Sequence, residues 1–320
     1  MKCSKLIYVN IGLACCFLFT IVSFANDDIV PIPTKVKTNK DLVEVGKKLF
    51  FDTRLSANDE LSCASCHNVV DGWGAEPSAV STGIRQQLGK RNSPTIFNSV
   101  LNFKQFWDGR ADNLSHQASF PVTDQVEMGM SSWDEVIVKL KGDNYYTAAF
   151  KQLGFDGVNK KAVVEAIAEY EKTLLTPNSP FDQFLNGDVG ALNQQQIDGY
   201  RLFKSYGCIS CHQGVNVGGN MFQKFGVLED ISLHNGSLSE DLGRYNVTEN
   251  EWDKRVFKVP SLRLAAVTPP YFHDGSVKTL QDAVEIMIEF QLGRGVPDED
   301  RDAIISFLGS LVGEKPQGVK

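Results

Sequence analysis

Histidine and cysteine are scarce in this chain, and long apolar runs are scarcer still. Five histidines and seven cysteines stand among 320 residues, and beyond Phe24 no segment stays apolar long enough to span a bilayer. Basic residues are not in excess either: 32 Lys and Arg face 39 Asp and Glu, a formal charge of -7. A nucleic-acid surface is therefore disfavoured, because such surfaces neutralise phosphates with Lys and Arg. Convincing runs of alternating polar and apolar residues are missing as well, which argues against a sheet-built protein.

What is present, at the start, is a leader. Lys2 and Lys5 precede the apolar run IGLACCFLFTIV, and Ser23 to Ala25 offers small residues for cleavage. Residues 1–25 read as a secretory signal peptide, so the expected location is the periplasm. An uncleaved anchor is the rival reading, opposed by Asn10 and the SFA site. A lipoprotein signal at Cys15 is weaker, with Gly12 at the third position before the cysteine. Loss of the leader removes two lysines and no acid, taking the charge from -7 to -9. A surface of that sign attracts basic protein partners.

The mature chain keeps four cysteines, Cys63, Cys66, Cys208 and Cys211, all within CASCH and CISCH. Two thiols three residues apart can add across the vinyl groups of one porphyrin, and the adjacent His67 or His212 then reaches the iron. Zinc sites usually close two such pairs across a short loop, and a thioredoxin-like pair needs a βαβ setting, so two covalent c-type haems are the better reading.

The halves also repeat. GKKLF at Gly46 to Phe50 precedes the first motif and GYRLF at Gly199 to Phe203 the second. SPTIFNSVLNFKQFWDGRADNL, from Ser93 to Leu114, aligns without gaps to VPSLRLAAVTPPYFHDGSVKTL, from Val259 to Leu280, so Trp107 meets His273. Two copies of one haem-binding unit are predicted, residues 26–190 and 191–320. The fold class expected is mainly α: two cytochrome c-like domains related by duplication. Helical spacing marks Trp133, Val136, Ile137 and Leu140; Val163, Val164, Ile167 and Leu174 after Asn159; Leu280, Val284, Met287, Ile288 and Gln291; and a last helix capped by Asp298. The stretch GVNVGGNMF and the polar segment through Glu249 read as loops.

The copies differ where iron chemistry would be decided. Met287 lies on an apolar helix face, where most methionines are core residues, but a His212 haem serving as an electron-transfer centre needs a sixth ligand, and Met raises its potential. Met221 is the competitor, disfavoured because it follows His212 too closely. In the internal register Met287 meets Pro121, which cannot bind iron. Gln117 and Glu127 stand near that gap, as an orienting amide and a proton-transferring carboxylate for peroxide.

These motifs, with RNSPT at Arg91 to Thr95, FWDGRA at Phe106 to Ala111, QVEMG at Gln125 to Gly129, VPSLR at Val259 to Arg263 and TPPYFHDGS at Thr268 to Ser276, resemble those of the bacterial dihaem cytochrome c peroxidases and their MauG-like relatives. The resemblance covers nearly the whole mature chain. It implies a homodimer, a calcium ion between the domains with oxygen ligands at Asn92, Thr268 and Pro270, and two-electron reduction of hydrogen peroxide. Electrons would come from a small cytochrome c or blue-copper protein through the His212/Met287 haem. Gln117 and Glu127 match the peroxide pocket, Trp107 the tryptophan between the haems, and His273 a residue beside the second haem.

One departure matters. Many relatives carry a histidine in the loop after the first haem motif that caps the iron until the other haem is reduced; here the matching position is Ile84. The first haem is therefore expected to stay open without reductive activation. His116 is the main residue that a rearranged loop could bring to the iron, ahead of Met128 and Met130; His234 reads as a surface residue. A dihaem electron carrier and a MauG-like protein-modifying oxidase are the alternatives. The latter subgroup uses tyrosine where this chain has Met287.

Overall fold

A computed structural model describes residues 29–229 and 241–319; the leader and His234 lie outside them. Helix α1 (Lys40–Phe50) begins at Asn39, whose side chain accepts the Asp41 and Leu42 N–H groups that a helix start leaves without backbone partners. Its buried side, including Leu42, Val45 and Leu49, lies against α6 (Lys160–Glu171), capped in the same way by Asn159. The two backbones touch at Gly46, where a Cβ would fall 1.8 Å from the Ala166 carbonyl oxygen. Only glycine allows that approach.

The second half repeats the device. Helix α8 (Gln194–Ser205), capped by Asn193, crosses α11 (Asp298–Gly309). A Cβ on Gly199 would fall 1.9 Å from the Ala303 oxygen. The next contact is also matched: Tyr170 Cβ stands 3.1 Å from the first site and Phe307 Cβ 3.0 Å from the second.

Between these pairs run α2 (Cys63–Cys66), α3 (Leu114–Ala118), α4 (Trp133–Lys141), α5 (Asn144–Gln152) and α7 (Pro180–Leu185). Later come α9 (Tyr245–Thr248) and α10 (Leu280–Ile286), which continues into a wider π-helical stretch over Met287–Leu292. The fold is mainly helical, as expected. Strand β1 (Phe222–Lys224), inside the segment read as loop, pairs antiparallel with β2 (Val256–Lys258) just beyond it. Three residues are too few to show a period of two. Asp298 begins α11 and Pro297 takes the cap position.

Packing does not follow the chain order strictly. Ile29 and Phe181 and Phe184 of α7 join the core of the second half, while Val319 joins the cluster around Phe50 and Leu174. Arg263 and Asp182 form a fully buried ion pair at 2.8 Å, and Arg263 also donates to Ser179 Oγ and the Val30 carbonyl. Such a pair adds little net stability, yet losing one partner would strand a buried charge, so it pins α7 to the VPSLR segment.

Candidate functional site

The two haem-motif histidines face one connected cavity of about 620 Å³. Lining it are His67, Trp107 and Gln117 from the first half and Cys208, Cys211, His212, His273 and Met287 from the second. Cys63 and Cys66 form the single turn of α2, placing His67 at its end. His67 Nδ1 lies 2.8 Å from the Gly74 carbonyl. That contact favours a proton on Nδ1 and frees Nε2 for a metal. Burial holds the His67 pKa below its ordinary value and pushes that of His212 down to about 4, so both rings are neutral donors. His212 Nδ1 is buried and closes no well-formed hydrogen bond among the described residues, though the Val217 and Pro260 backbones lie near enough to oppose the effect of burial. The thiols are unpaired, and burial pushes Cys63 and Cys66 up to about 12 and Cys208 to about 11. Neutral imidazoles over a large apolar cavity, each beside two free thiols, fit a covalent haem.

On the His67 side, Gln117 reaches the cavity. Glu127 is not among the lining residues, but its charge acts on both Cys63 and Cys66. Burial first, then Asp124, pushes its carboxyl up to about 7 against the pull of Arg110. Ile84 is buried; its N–H donates to the Glu127 carbonyl at 2.8 Å. Its side chain packs so closely on Gly129 that a Cβ there would come within 2.9 Å.

The other potential ligands turn elsewhere. His116 is 43% exposed and faces Asp112, with its ring against Phe120. Met128 and Met130 are buried in the first apolar core. Pro121 opens a short 3-10 turn. None of these four lines the cavity, and neither does Met221.

Between the histidines, Trp107 Nε1 donates to the Asn92 carbonyl at 3.0 Å, and its ring meets His273 edge-on at 6.5 Å. His273 stacks on Phe257 at 4.3 Å, and its carbonyl accepts the Asn92 N–H at 2.7 Å. Burial lowers the His273 pKa. Asn92, Thr268 and Pro270 line the same cavity. Asn92 Nδ2 donates to the Ser78 and Ala79 carbonyls, whereas no described donor reaches Asn92 Oδ1 or the Thr268 and Pro270 carbonyls. Three uncommitted oxygens suit a hard cation such as calcium.

Sequence reasoning missed the buried titratable groups Lys258 and Glu171 in the cavity wall. Lys258 is buried there, its pKa pushed down to about 8 by burial. Glu171 is the other, and its signal lay in a comparison of helix pairs that the motif alignment did not reach. Outside the cavity, Arg91 bridges Asp108 at 2.5 Å and Asp241 at 2.6 Å, joining FWDGRA to the second half.

Two haem-binding motifs on one helical scaffold, sharing a cavity with one methionine-lined end, define a dihaem c-type oxidoreductase. The comparisons narrow this class. The family model for di-haem cytochrome c peroxidase matches residues 40–190. The chain is 43% identical to cytochrome c551 peroxidase of Nitrosomonas europaea, over 96% of this chain and 91% of that one. It is 45% identical to cytochrome c peroxidase of Escherichia coli over 90% of its own length, though it spans only 62% of that longer protein. The diheme peroxidase of Burkholderia thailandensis has the same fold, with a TM-score of 0.75 at 19% identity, covering 91% of this chain and 92% of that one. The chain belongs to the di-haem cytochrome c peroxidases, a family of enzymes that carry two haems.

Proposed function

We propose that this protein reduces hydrogen peroxide to water, two electrons and two protons giving two waters, at the haem held by His67. Electrons enter one at a time from a small cytochrome c or blue-copper protein through the haem held by His212 and Met287. When bound, the haems supply the electron transfer and the cleavage of the O–O bond. The chain's own part is binding, exclusion and proton movement. Gln117 orients peroxide by hydrogen bonding. Glu127, with its pKa near neutrality, takes the proton from one peroxide oxygen and returns it to the leaving one. Trp107 and His273 fill the space between the two centres.

The reading is carried by one observation: Met287 faces the cavity at the second site, while Pro121, His116, Met128 and Met130 all lie off it near the first. Ile84, packed on Gly129, supplies no ligand in place of a capping histidine. These placements support a first site that is open in the oxidised protein. The duplication of the haem unit is supported by the matched contacts at Gly46 and Gly199, and calcium at Asn92, Thr268 and Pro270 by their uncommitted oxygens. Export to the periplasm is supported by the leader, and a homodimer by the family resemblance. The names of the Nitrosomonas and Escherichia relatives support a cytochrome donor.

Peroxide turnover by the fully oxidised protein, started by adding peroxide and then reduced cytochrome c, tests the reading. Activity from the first turnover is expected. A lag removed only by prior reduction would contradict the open site, and no turnover in either state would favour an electron carrier.

A further inference from the structure

Glu171 ends α6 and has no part in the chemistry proposed above. Its side chain is buried and lines the cavity, and its Oε2 has no hydrogen-bond partner among the described residues. The matched helix crossings give it a counterpart. Gly46 meets Ala166 and Tyr170 as Gly199 meets Ala303 and Phe307. The residue after Tyr170 therefore corresponds to the residue after Phe307, which is Leu308, also buried and also lining the cavity. One half carries a leucine where the other carries an acid. An unpaired carboxyl is costly at a site that accepts leucine, which calls for a compensating role.

Its surroundings point to that role. Burial alone pushes its pKa up to about 8, within the pH range where the carboxyl can exchange its proton. Its charge acts on two described groups, the Cys63 thiol and the Tyr170 hydroxyl. No charged side chain of α1 or α3, the helices packed on α6, acts on Glu171 in return. Cys63 is an attachment point of the first haem and becomes a thioether on attachment, which leaves Tyr170 as the titratable neighbour. Through Cys63, Glu171 is coupled to the His67 site, in a setting where little water screens one charge from another. Added negative charge nearby raises a carboxyl's affinity for protons.

We propose that Glu171 is a redox-linked proton acceptor for the first haem, taking up one proton as one electron from the donor reaches that centre and releasing it when the electron leaves. This rests on the two-haem reading. The second half has Leu308 in the same place, as suits a centre that only passes electrons.

Glu127 also acts on Cys63, so the test is made in its absence. The midpoint potential of the first haem would be measured spectroelectrochemically in holoprotein from about pH 6 to about pH 9, in E127Q, E127Q/E171Q and E127Q/E171L. In E127Q the redox equilibrium is expected to shift up to tenfold per pH unit towards the oxidised form as pH rises past about 8, about 59 mV for a one-electron couple. That slope should vanish in both double variants, and E171L, which copies the leucine of the other half, is the variant least prone to misfold. A flat potential in E127Q, or an unchanged slope in a double variant, overturns the proposal. Haem content is read first from the c-type absorption bands. Fewer than two haems per chain contradicts the haem assignment itself, whereas a missing slope at full content contradicts only the role of Glu171.

Discussion

At their helix crossings the two halves use one solution, and at the cavity they part. Gly46 against Ala166 and Gly199 against Ala303 bring helix backbones into contact at nearly the same distance, with an aromatic side chain one turn further on in each. Around the cavity, Met287 has Pro121 as its counterpart, Leu308 has Glu171 and His273 has Trp107. On the proposed reading, the matched crossings set where each haem sits, while a few side chains decide whether its iron passes electrons or meets substrate.

The comparison can be broken from its catalytic end first. If Glu127 moves the peroxide proton, E127Q should lower peroxide turnover by about 10² to 10⁴-fold with both haems still in place. The wild-type pH profile gives the sign: a base works deprotonated, so kcat/KM for peroxide should rise with pH through about 7 and lose that rise in E127Q. Steady-state kinetics on holoprotein checks both.

A second substitution addresses the electron-transfer end. Replacing Met287 by alanine should lower the potential of the second haem by on the order of 0.2 V, a fraction of the roughly 0.8 V that axial ligands span. Redox titration reads this directly, and an unchanged potential would point to another ligand such as Met221. The smallest effect tests likeness rather than difference. G46A and G199A should each destabilise the fold by about 1–3 kcal/mol through overpacking, and by similar amounts, as measured by thermal unfolding. Strongly unequal losses would mean that the two crossings are not equivalent.

Much of this could be read from the residues. Trp133, Val136 and Leu140 mark α4, and Asn159 with Val163 and Ile167 marks α6, because an apolar face at 3.6-residue spacing survives in any context. Helix α5, where Asn144, Thr147 and Gln152 accompany Tyr146 and Phe150, gives a weaker pattern, and β1 and β2 are too short to give one. At the site, CASCH and CISCH single out the cysteines and histidines proposed to hold the haems. Glu171 stayed hidden because a carboxylate at the end of an amphipathic helix reads as solvated; only packing turns it inward. That Lys258 is buried is likewise a tertiary fact, since its strand holds just three residues.

The central claim is that the face opposite His67 is open in the resting protein and the face opposite His212 is closed by Met287. Electron paramagnetic resonance of the fully oxidised holoprotein addresses it most directly. The expected spectrum contains one high-spin ferric signal from the first haem and one low-spin signal from the second. Two low-spin signals, with no high-spin component, would contradict it.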